Sequence, residues 1–365
     1  MEALEYPWPD APAPGETMEL APGVHWLRMP MPGSLNHINL YLLEGAGGWT
    51  IVDTGLGDDA TRSHWERLFA GVLYSAPIER IIVTHMHPDH VGQAGWLSER
   101  SRAPLYMTRA EYYQARTFAG SAPTSGNWES EEFYRAAGLS DEELQALQVR
   151  MSSSGGYGSM VTPMPMSYRR LRAGDTLTLA GHDWRVVIGS GHSPEHACLY
   201  CRALGILIAG DQILPIITSN VSVHPNEPEA NPLKDWMESH DRLLALPDET
   251  LVLPAHNLPF RGLRKRLRAL IAHHEDRMLA LEEHCETPSS ARDLLPVLFR
   301  RKLDERQLTM ALGEGIAHLH LLMHRDRIER TTDAGGVWRF RSIDPDLARR
   351  RRTEHDAPGE APMQV

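Results

Sequence analysis

The chain has 365 residues, with 37 Lys and Arg against 48 Asp and Glu, a formal net charge of -11. At this length, one core of about 200 to 250 residues plus a smaller module is the expected division, and the acidic balance disfavours undirected binding to phosphate backbones, which needs positive patches. No apolar run approaches the roughly 18 residues of a membrane span, and residues 1–7 lack a basic stretch followed by an apolar core, which argues against a secretory signal and predicts a cytoplasmic, soluble protein.

In chain order, residues 7–22 are proline-rich and read as an extended arm on the surface. Strand patterns follow at 24–29 and 36–43, and Ile51-Val52-Asp53-Thr54-Gly55 reads as a further strand running into a turn. Trp65, Leu68, Phe69 and Val72 recur at helical spacing and predict a helix over 60–72. The apolar stretch Ile78-Glu79-Arg80-Ile81-Ile82-Val83 reads as a buried strand and runs directly into Thr84-His85-Met86-His87-Pro88-Asp89-His90. A helix over 92–100 and a short strand at 104–107 come next.

The run 85–90 places three imidazoles and one carboxylate within six positions. His85 and His87, two apart, point the same way on an extended backbone, and Asp89 and His90, beyond the Pro88 turn, face a second point. Two borderline cations of the zinc type, each wanting nitrogen and oxygen donors in a tetrahedral array, suit this layout; the other reading is a histidine-rich loop without metal. More donors follow in order. His192 lies in Gly189-Ser190-Gly191-His192-Ser193-Pro194-Glu195-His196, Asp211 follows Gly205-Ile206-Leu207-Ile208-Ala209-Gly210, and His256 closes Leu251-Val252-Leu253-Pro254-Ala255-His256. Each stands at the end of an apolar strand, where loops on a rigid sheet rim collect reactive groups.

This HxHxDH run, followed by His, Asp and His, resembles the metallo-β-lactamase superfamily of metallohydrolases, in its glyoxalase II-like branch, over roughly residues 20–260. The resemblance implies an α/β fold, the αββα sandwich, which the strand and helix alternation suits. It implies that His85, His87 and His192 hold one metal, that Asp89, His90 and His256 hold the other, and that Asp211 bridges them. Asp53 would support a metal-bound histidine from behind; alternatively it caps the turn before Gly55. The cofactor implied is two zinc ions per chain, with iron and manganese as the other candidates. Such a pair lowers the pKa of a shared water to roughly 7, and the hydroxide attacks a carbonyl or phosphoryl while the metals stabilise the oxyanion. Asp89 would also orient the nucleophile or relay its proton. An aspartate at 211, where β-lactamase-proper branches commonly carry cysteine, argues against that activity, and His87 argues against the oxygen-reducing diiron branch, which tends to place glutamate there. Tyr157, between glycines in Gly155-Gly156-Tyr157-Gly158, is a candidate donor to the leaving oxygen, as in lactonase relatives. His196 is a structural rather than a ligating candidate, and His224, His273 and His274 read as ordinary surface or helix-face histidines.

The three cysteines, Cys198, Cys201 and Cys285, form no disulfide framework. Cys198 and Cys201 lie in a strand, where positions three apart face opposite ways, so they read as buried thiols rather than a redox pair. Residues 109–168 exceed what the sandwich needs and are dense in large apolar side chains such as Tyr112, Phe118, Trp128 and Met160. They read as a helical insertion with helices at 109–118 and 140–151, the latter opened by the capping pattern Ser140-Asp141-Glu142-Glu143. It either forms a wall accepting an apolar acyl group or packs as a structural or dimer contact.

Beyond 260 the character changes. Residues 263–285 read as one long helix linking (261–287) to a compact unit over 288–345, with helices at 290–301, 304–312 and 313–325 and a hairpin across Asp333-Ala334-Gly335-Gly336. Three helices and a hairpin resemble a winged helix, which one branch of the superfamily carries. His318, His320 and His324 stand on its third helix where a nucleic-acid reader would carry a basic stripe. The tail, 346–365, holds the basic run 349–352 and reads as flexible and solvated. The chain is therefore expected to be a metal-dependent hydrolase cleaving a small ester, thioester or lactone. The alternative is a metal-dependent endoribonuclease on single-stranded RNA, so the expected partner is a small acyl substrate ahead of nucleic acid. Homo-oligomerisation is left open.

Overall fold

The strands of the first half are apolar on both faces, and the fold accounts for it. In the computed structural model, which describes residues 4–33, 35–120, 127–153 and 155–356, β1 (Thr17–Ala21), β2 (Val24–Pro30), β3 (His37–Gly45), β4 (Gly48–Val52), β5 (Ile78–Ile82), β6 (Leu105–Met107) and β7 (Arg169–Arg170) form one sheet in sequence order. The pairs up to β3–β4 are antiparallel and those from β4–β5 onward are parallel. A second sheet has the order β12 (Leu251–Pro254), β11 (Ile206–Gly210), β10 (His196–Cys201), β9 (His182–Gly189), β8 (Thr176–Leu179).

Alternation along each strand divides its residues between two cores. Leu27, Leu40, Leu42, Ile51 and Ile81 face α1 (Asp59–Ala70) and α3 (Ala94–Ser101), meeting Trp65, Leu68 and Leu97. Their neighbours Trp26, Tyr41, Leu43, Val52 and Ile82 face the second sheet, meeting Trp184, Leu199, Ile208 and Leu253. A strand covered on both sides leaves few positions for polar side chains, hence the largely apolar runs. Helix α1 starts where Asp58 accepts the Thr61 amide at 2.8 Å and stops at Gly71, so Val72 lies outside it and is exposed. Cys198 and Cys201 are buried, free, and on opposite faces of β10, with only Cys201 in the core between the sheets.

The chain divides into two units. The first comprises Met1–Ala122, Gly155–Ser219 and Arg242–Arg266, the second Pro123–Ser154, Asn220–Asp241 and Leu267–Val365. The segment 109–168, expected as one insertion, is thus shared: α4 (Arg109–Gly120) belongs to the first unit, α5 (Trp128–Ala136) and α6 (Asp141–Ser153) to the second. Ser140 opens α6 by the reciprocal bonds its pattern predicts, its hydroxyl accepting the Glu143 amide at 3.2 Å.

In the second unit, Phe133 of α5 meets Trp338 edge-to-face at 5.7 Å, and Glu143 accepts from Arg292 at 2.9 Å. The rest of this unit includes α9 (Ala291–Leu298), α10 (Glu305–His324), the hairpin β13 (Ile328–Thr332) and β14 (Trp338–Ser342), and α11 (Pro345–Asp356). Two expectations are corrected. Helices expected at 304–312 and 313–325 are one, α10: a Cβ on Gly313 would lie 2.8 Å from both Ser222 Cβ and the Val223 carbonyl, so glycine marks a close approach, not a break. The tail expected to be flexible from 346 is helical to Asp356. Its basic run pairs with acids of α8 (Leu263–His284) and the turn after it: Arg351 with Glu282 at 2.5 Å, Arg352 with Asp276 at 2.7 Å, Arg349 with Glu286 at 2.6 Å. A run of arginines that looks solvated in sequence is satisfied by carboxylates seventy residues earlier. Residues 357–365 lie outside the described residues. Among the described residues no helix is long and apolar enough to cross a membrane.

Candidate metal centre

The donors gather at the ends of strands in the first unit. β5 delivers Thr84 to His90, the β9–β10 loop delivers His192, β11 delivers Asp211, and β12 delivers His256. All seven expected side chains come together in two sets, His85, His87, His192 and Asp211, and Asp89, His90 and His256, each with donor atoms within 4.8 Å of one another.

Three imidazole nitrogens face a common point. His85 Nε2 lies 2.9 Å from His87 Nδ1, which lies 3.0 Å from His192 Nε2, and 3.2 Å closes the triangle. Burial pushes His85 well below its ordinary pKa and His87 down to about 3, each reinforced by neighbouring imidazoles, so both are neutral and present lone pairs. Neutral rings with converging lone pairs repel unless something positive sits between them, and neutral imidazole is the ligating form.

The remaining contacts are longer. Asp211 Oδ2 is 3.4 Å from His192 Nε2 and 3.6 Å from His90 Nε2, and its Oδ1 is 3.5 Å from His256 Nε2. Asp89 Oδ2 is 3.6 Å from His90 Nε2 and 3.5 Å from His256 Nε2. Ligand atoms around a tetrahedral zinc with bonds of about 2.0–2.1 Å stand roughly 3.3 Å apart, whereas strong hydrogen bonds are shorter. His90 Nε2 and Asp211 Oδ1 are buried without a hydrogen-bond partner, a costly condition that a cation between them would relieve. The residues present fit a metal.

Burial opposes charge on this second set, yet mutual attraction wins: His256 and His90 hold Asp211 well below the carboxylate range, and Asp211 with Asp89 raises His256 to about 10. His90 is raised too, burial being outweighed by Asp53, Asp89 and Asp211. A bound cation would take the place of those imidazolium protons.

Behind the donors lies a layer that aims them. Asp53 has φ +62, rare for a residue with a Cβ. Its carboxylate accepts the Thr84 amide at 2.7 Å and the Thr84 hydroxyl at 2.9 Å, bonds that hold the strained backbone. Asp53 Oδ2 also lies 2.8 Å from His90 Nδ1; a carboxylate only accepts, so Nδ1–H donates and Nε2 is left for the cluster. His256 is aimed likewise, Nδ1–H donating to the His37 carbonyl at 2.9 Å. His196 stacks on His85 at 4.7 Å and accepts the Asp211 amide on Nε2 at 3.2 Å, acting behind the donors. Gly210, at φ +51, is required there, since a Cβ would meet His196 Nε2 at 2.5 Å. Arg266, buried, donates to the carbonyls of Leu214 and Ile217 and so holds the loop after Asp211.

Tyr157 stands beside the centre, but its hydroxyl donates to the Met86 carbonyl. Burial, with Glu111 and Asp89, raises its phenol, which keeps its proton; a departing oxygen would have to compete with that carbonyl for it. Sequence reasoning missed Glu111, wholly buried on α4, whose carboxylate accepts the amides of Met86 at 2.8 Å and Glu195 at 2.7 Å. An acid near the start of an amphipathic helix reads as solvated, and no local pattern marks it otherwise.

A second histidine group lies in the second unit. His274, expected as a surface or helix-face histidine, lies on α8 and is wholly buried, with Nδ1 3.0 Å from His318 Nε2 and its ring 4.7 Å from Trp236. His318 Nδ1 donates to the Glu314 carbonyl at 2.7 Å. His224 is exposed as expected.

Residues 33–256 match the family model described as "Metallo-beta-lactamase superfamily", and 278–343 match "Metallo-beta-lactamase-like, C-terminal domain". The crystal structure titled "Beta-lactamase domain protein from Burkholderia ambifaria" superposes with a TM-score of 0.86 at 44% identity, covering 93% of this chain and 98% of that one. "Probable metallo-hydrolase YqjP" of Bacillus subtilis (strain 168) is 24% identical over 86% of this chain and 96% of its own length. "Acyl-coenzyme A thioesterase MBLAC2" of Gallus gallus is 26% identical over 65% of this chain and 78% of its own.

Proposed function

This chain belongs to the metallo-β-lactamase superfamily, and from that premise we propose that it is a dinuclear metallohydrolase that cleaves a small thioester, ester or lactone. The observation that carries this reading is the convergence of seven buried or half-buried donors in two sets, with Asp211 reaching both. In it, His85, His87 and His192 hold one cation, Asp89, His90 and His256 the other, and Asp211 is shared. A zinc pair, when bound, supplies an activated water at neutral pH and stabilises the oxyanion that develops on the acyl group.

The chain's residues do the rest. Neutral His85 and His87 offer lone pairs without first losing a proton. Asp53 and His37 fix which nitrogen of His90 and of His256 faces inward. Asp89 orients the nucleophile and relays its proton. Thioesters lead the substrate classes because the chicken relative is named as an acyl-coenzyme A thioesterase.

Helices α8, α9 and α10 followed by a hairpin support a winged-helix reading of the second unit, but residues 311–322 of α10 are buried at every position. Over those residues the helix offers no face to a nucleic-acid groove, so this unit is read as a packing or substrate-shaping module. Elemental analysis of the purified protein, paired with turnover of acyl-thioesters, lactones, esters and single-stranded RNA, tests the reading. Two equivalents of metal and thioester turnover lost in Asp89→Ala are expected. RNA cleavage that disappears in Asp89→Ala, without acyl turnover, would instead establish the nuclease.

A further inference from the structure

Glu111 is a fully buried carboxylate that the proposed chemistry does not use. Burying such a group is costly unless hydrogen bonds replace its water. Here the replacement comes from two loops far apart in sequence. Oε2 accepts the amide of Met86, the residue between His85 and His87, at 2.8 Å; Oε1 accepts the amide of Glu195, three residues after His192, at 2.7 Å.

The start of α4 extends the grip. The Thr108 hydroxyl donates to the Glu195 carbonyl at 2.8 Å, and the Ala110 amide donates to Glu195 Oε2 at 2.9 Å. The Met86 carbonyl, in the next peptide group, is held by the Tyr157 hydroxyl. Movement of the Met86 backbone moves both flanking rings, so its two bonds set the directions of His85 and His87 together. None of these bonds reaches Asp89, His90 or His256; the His90 ring is aimed by Asp53 and the His256 ring by the His37 carbonyl, while Asp53 touches the three-imidazole set only through the Thr84 hydroxyl, 3.0 Å from His85 Nδ1.

We propose that Glu111 is a positioning residue that clamps the His85–His87 loop to the His192 loop, and so sets the three-imidazole site independently of the Asp89, His90 and His256 site. This rests on the metal-centre reading above. Polar groups that orient ligands from behind typically carry roughly ten- to a hundredfold in metal affinity.

The test titrates metal-free full-length wild type, Glu111→Gln and Asp53→Asn with cobalt(II), following bound equivalents by equilibrium dialysis and ligand geometry by visible absorption. Wild type should take up two equivalents. Glu111→Gln keeps the shape but turns an NH2 toward one of the two amides; it should weaken one equivalent roughly tenfold or more and leave the other as in wild type. Asp53 bonds His90 directly and His85 only through Thr84, so Asp53→Asn should weaken the opposite equivalent the more, with a different spectral change. Should Glu111→Gln fail to fold, Tyr157→Phe releases the same Met86 backbone and should weaken the same equivalent to a smaller degree. Two equivalents at wild-type affinity in Glu111→Gln, or in Tyr157→Phe where that variant stands in, overturn the clamp alone. Equal weakening of both equivalents reduces Glu111 to general support of the fold and also overturns it. A wild type that binds no cobalt sinks the metal-centre reading together with the clamp.

Discussion

Among the described residues, two groups of buried histidines differ in what faces them. In the first unit, imidazole nitrogens converge on shared points with two carboxylates among them. In the second, His274 and His318 form a pair against Trp236, and the charges bearing on them are the cation of Arg277 and other imidazoles. Burial holds His274 well below its ordinary pKa and His318 down to about 3. Both groups are rich in one residue type, yet only the first has the anions and the geometry to take a cation. The second uses the flat ring as core material with one polar handle.

The largest expected effect separates the two directly. Asp211→Ala removes the one carboxylate that reaches both donor sets; metal content by elemental analysis should fall, and hydrolysis should drop by a factor on the order of a thousand. His318→Gln should leave metal content unchanged; a loss of metal there would erase the distinction.

The second contrast is one of pH. His318 is neutral when folded and becomes protonated when unfolded below about pH 6.5. Between that value and its folded pKa of about 3, the unfolded state binds more protons, so stability is present above pH 6.5 and lost as the pH falls. From pH 6.5 to 5 this loss is about 2 kcal/mol. Urea unfolding at both pH values should show His318→Gln losing that much less than wild type, since glutamine keeps a polar handle that does not titrate. Equal losses would mean that His318 does not contribute.

The smallest effect concerns two of the glycines that mark close approaches. Gly313→Ala should gain about 1 kcal/mol of helix propensity but lose about 2 kcal/mol to overpacking against Ser222 and Val223. A net destabilisation of about 1 kcal/mol with metal content intact is expected by thermal unfolding. Gly210→Ala, pressed on His196 beside Asp211, should by contrast disturb metal uptake.

Much of the centre was legible because it is local. His85, His87, Asp89 and His90 share one loop, and the later donors each follow an apolar strand, so a common placement at strand ends predicted their meeting. The two cores were legible for the same reason, since unbroken apolar strands imply cover on both faces. What stayed hidden depends on partners distant in the chain. Glu111 looks solvated until α4 brings it to Met86 and Glu195; Gly313 looks like a break until Ser222 lies against it; the arginines at 349–352 look disordered until α8 and the turn after it supply their carboxylates.

By itself the sequence marked the candidate donors and the strand alternation, because these follow from side-chain type and short-range spacing, and its resemblance to a known family implied the chemistry class. Only the tertiary structure decided which nitrogen of each ring faces inward, which acids are buried, and which histidines are core rather than site. Those outcomes rest on hydrogen bonds and close contacts between segments tens to hundreds of residues apart, and spacing along a chain does not encode them.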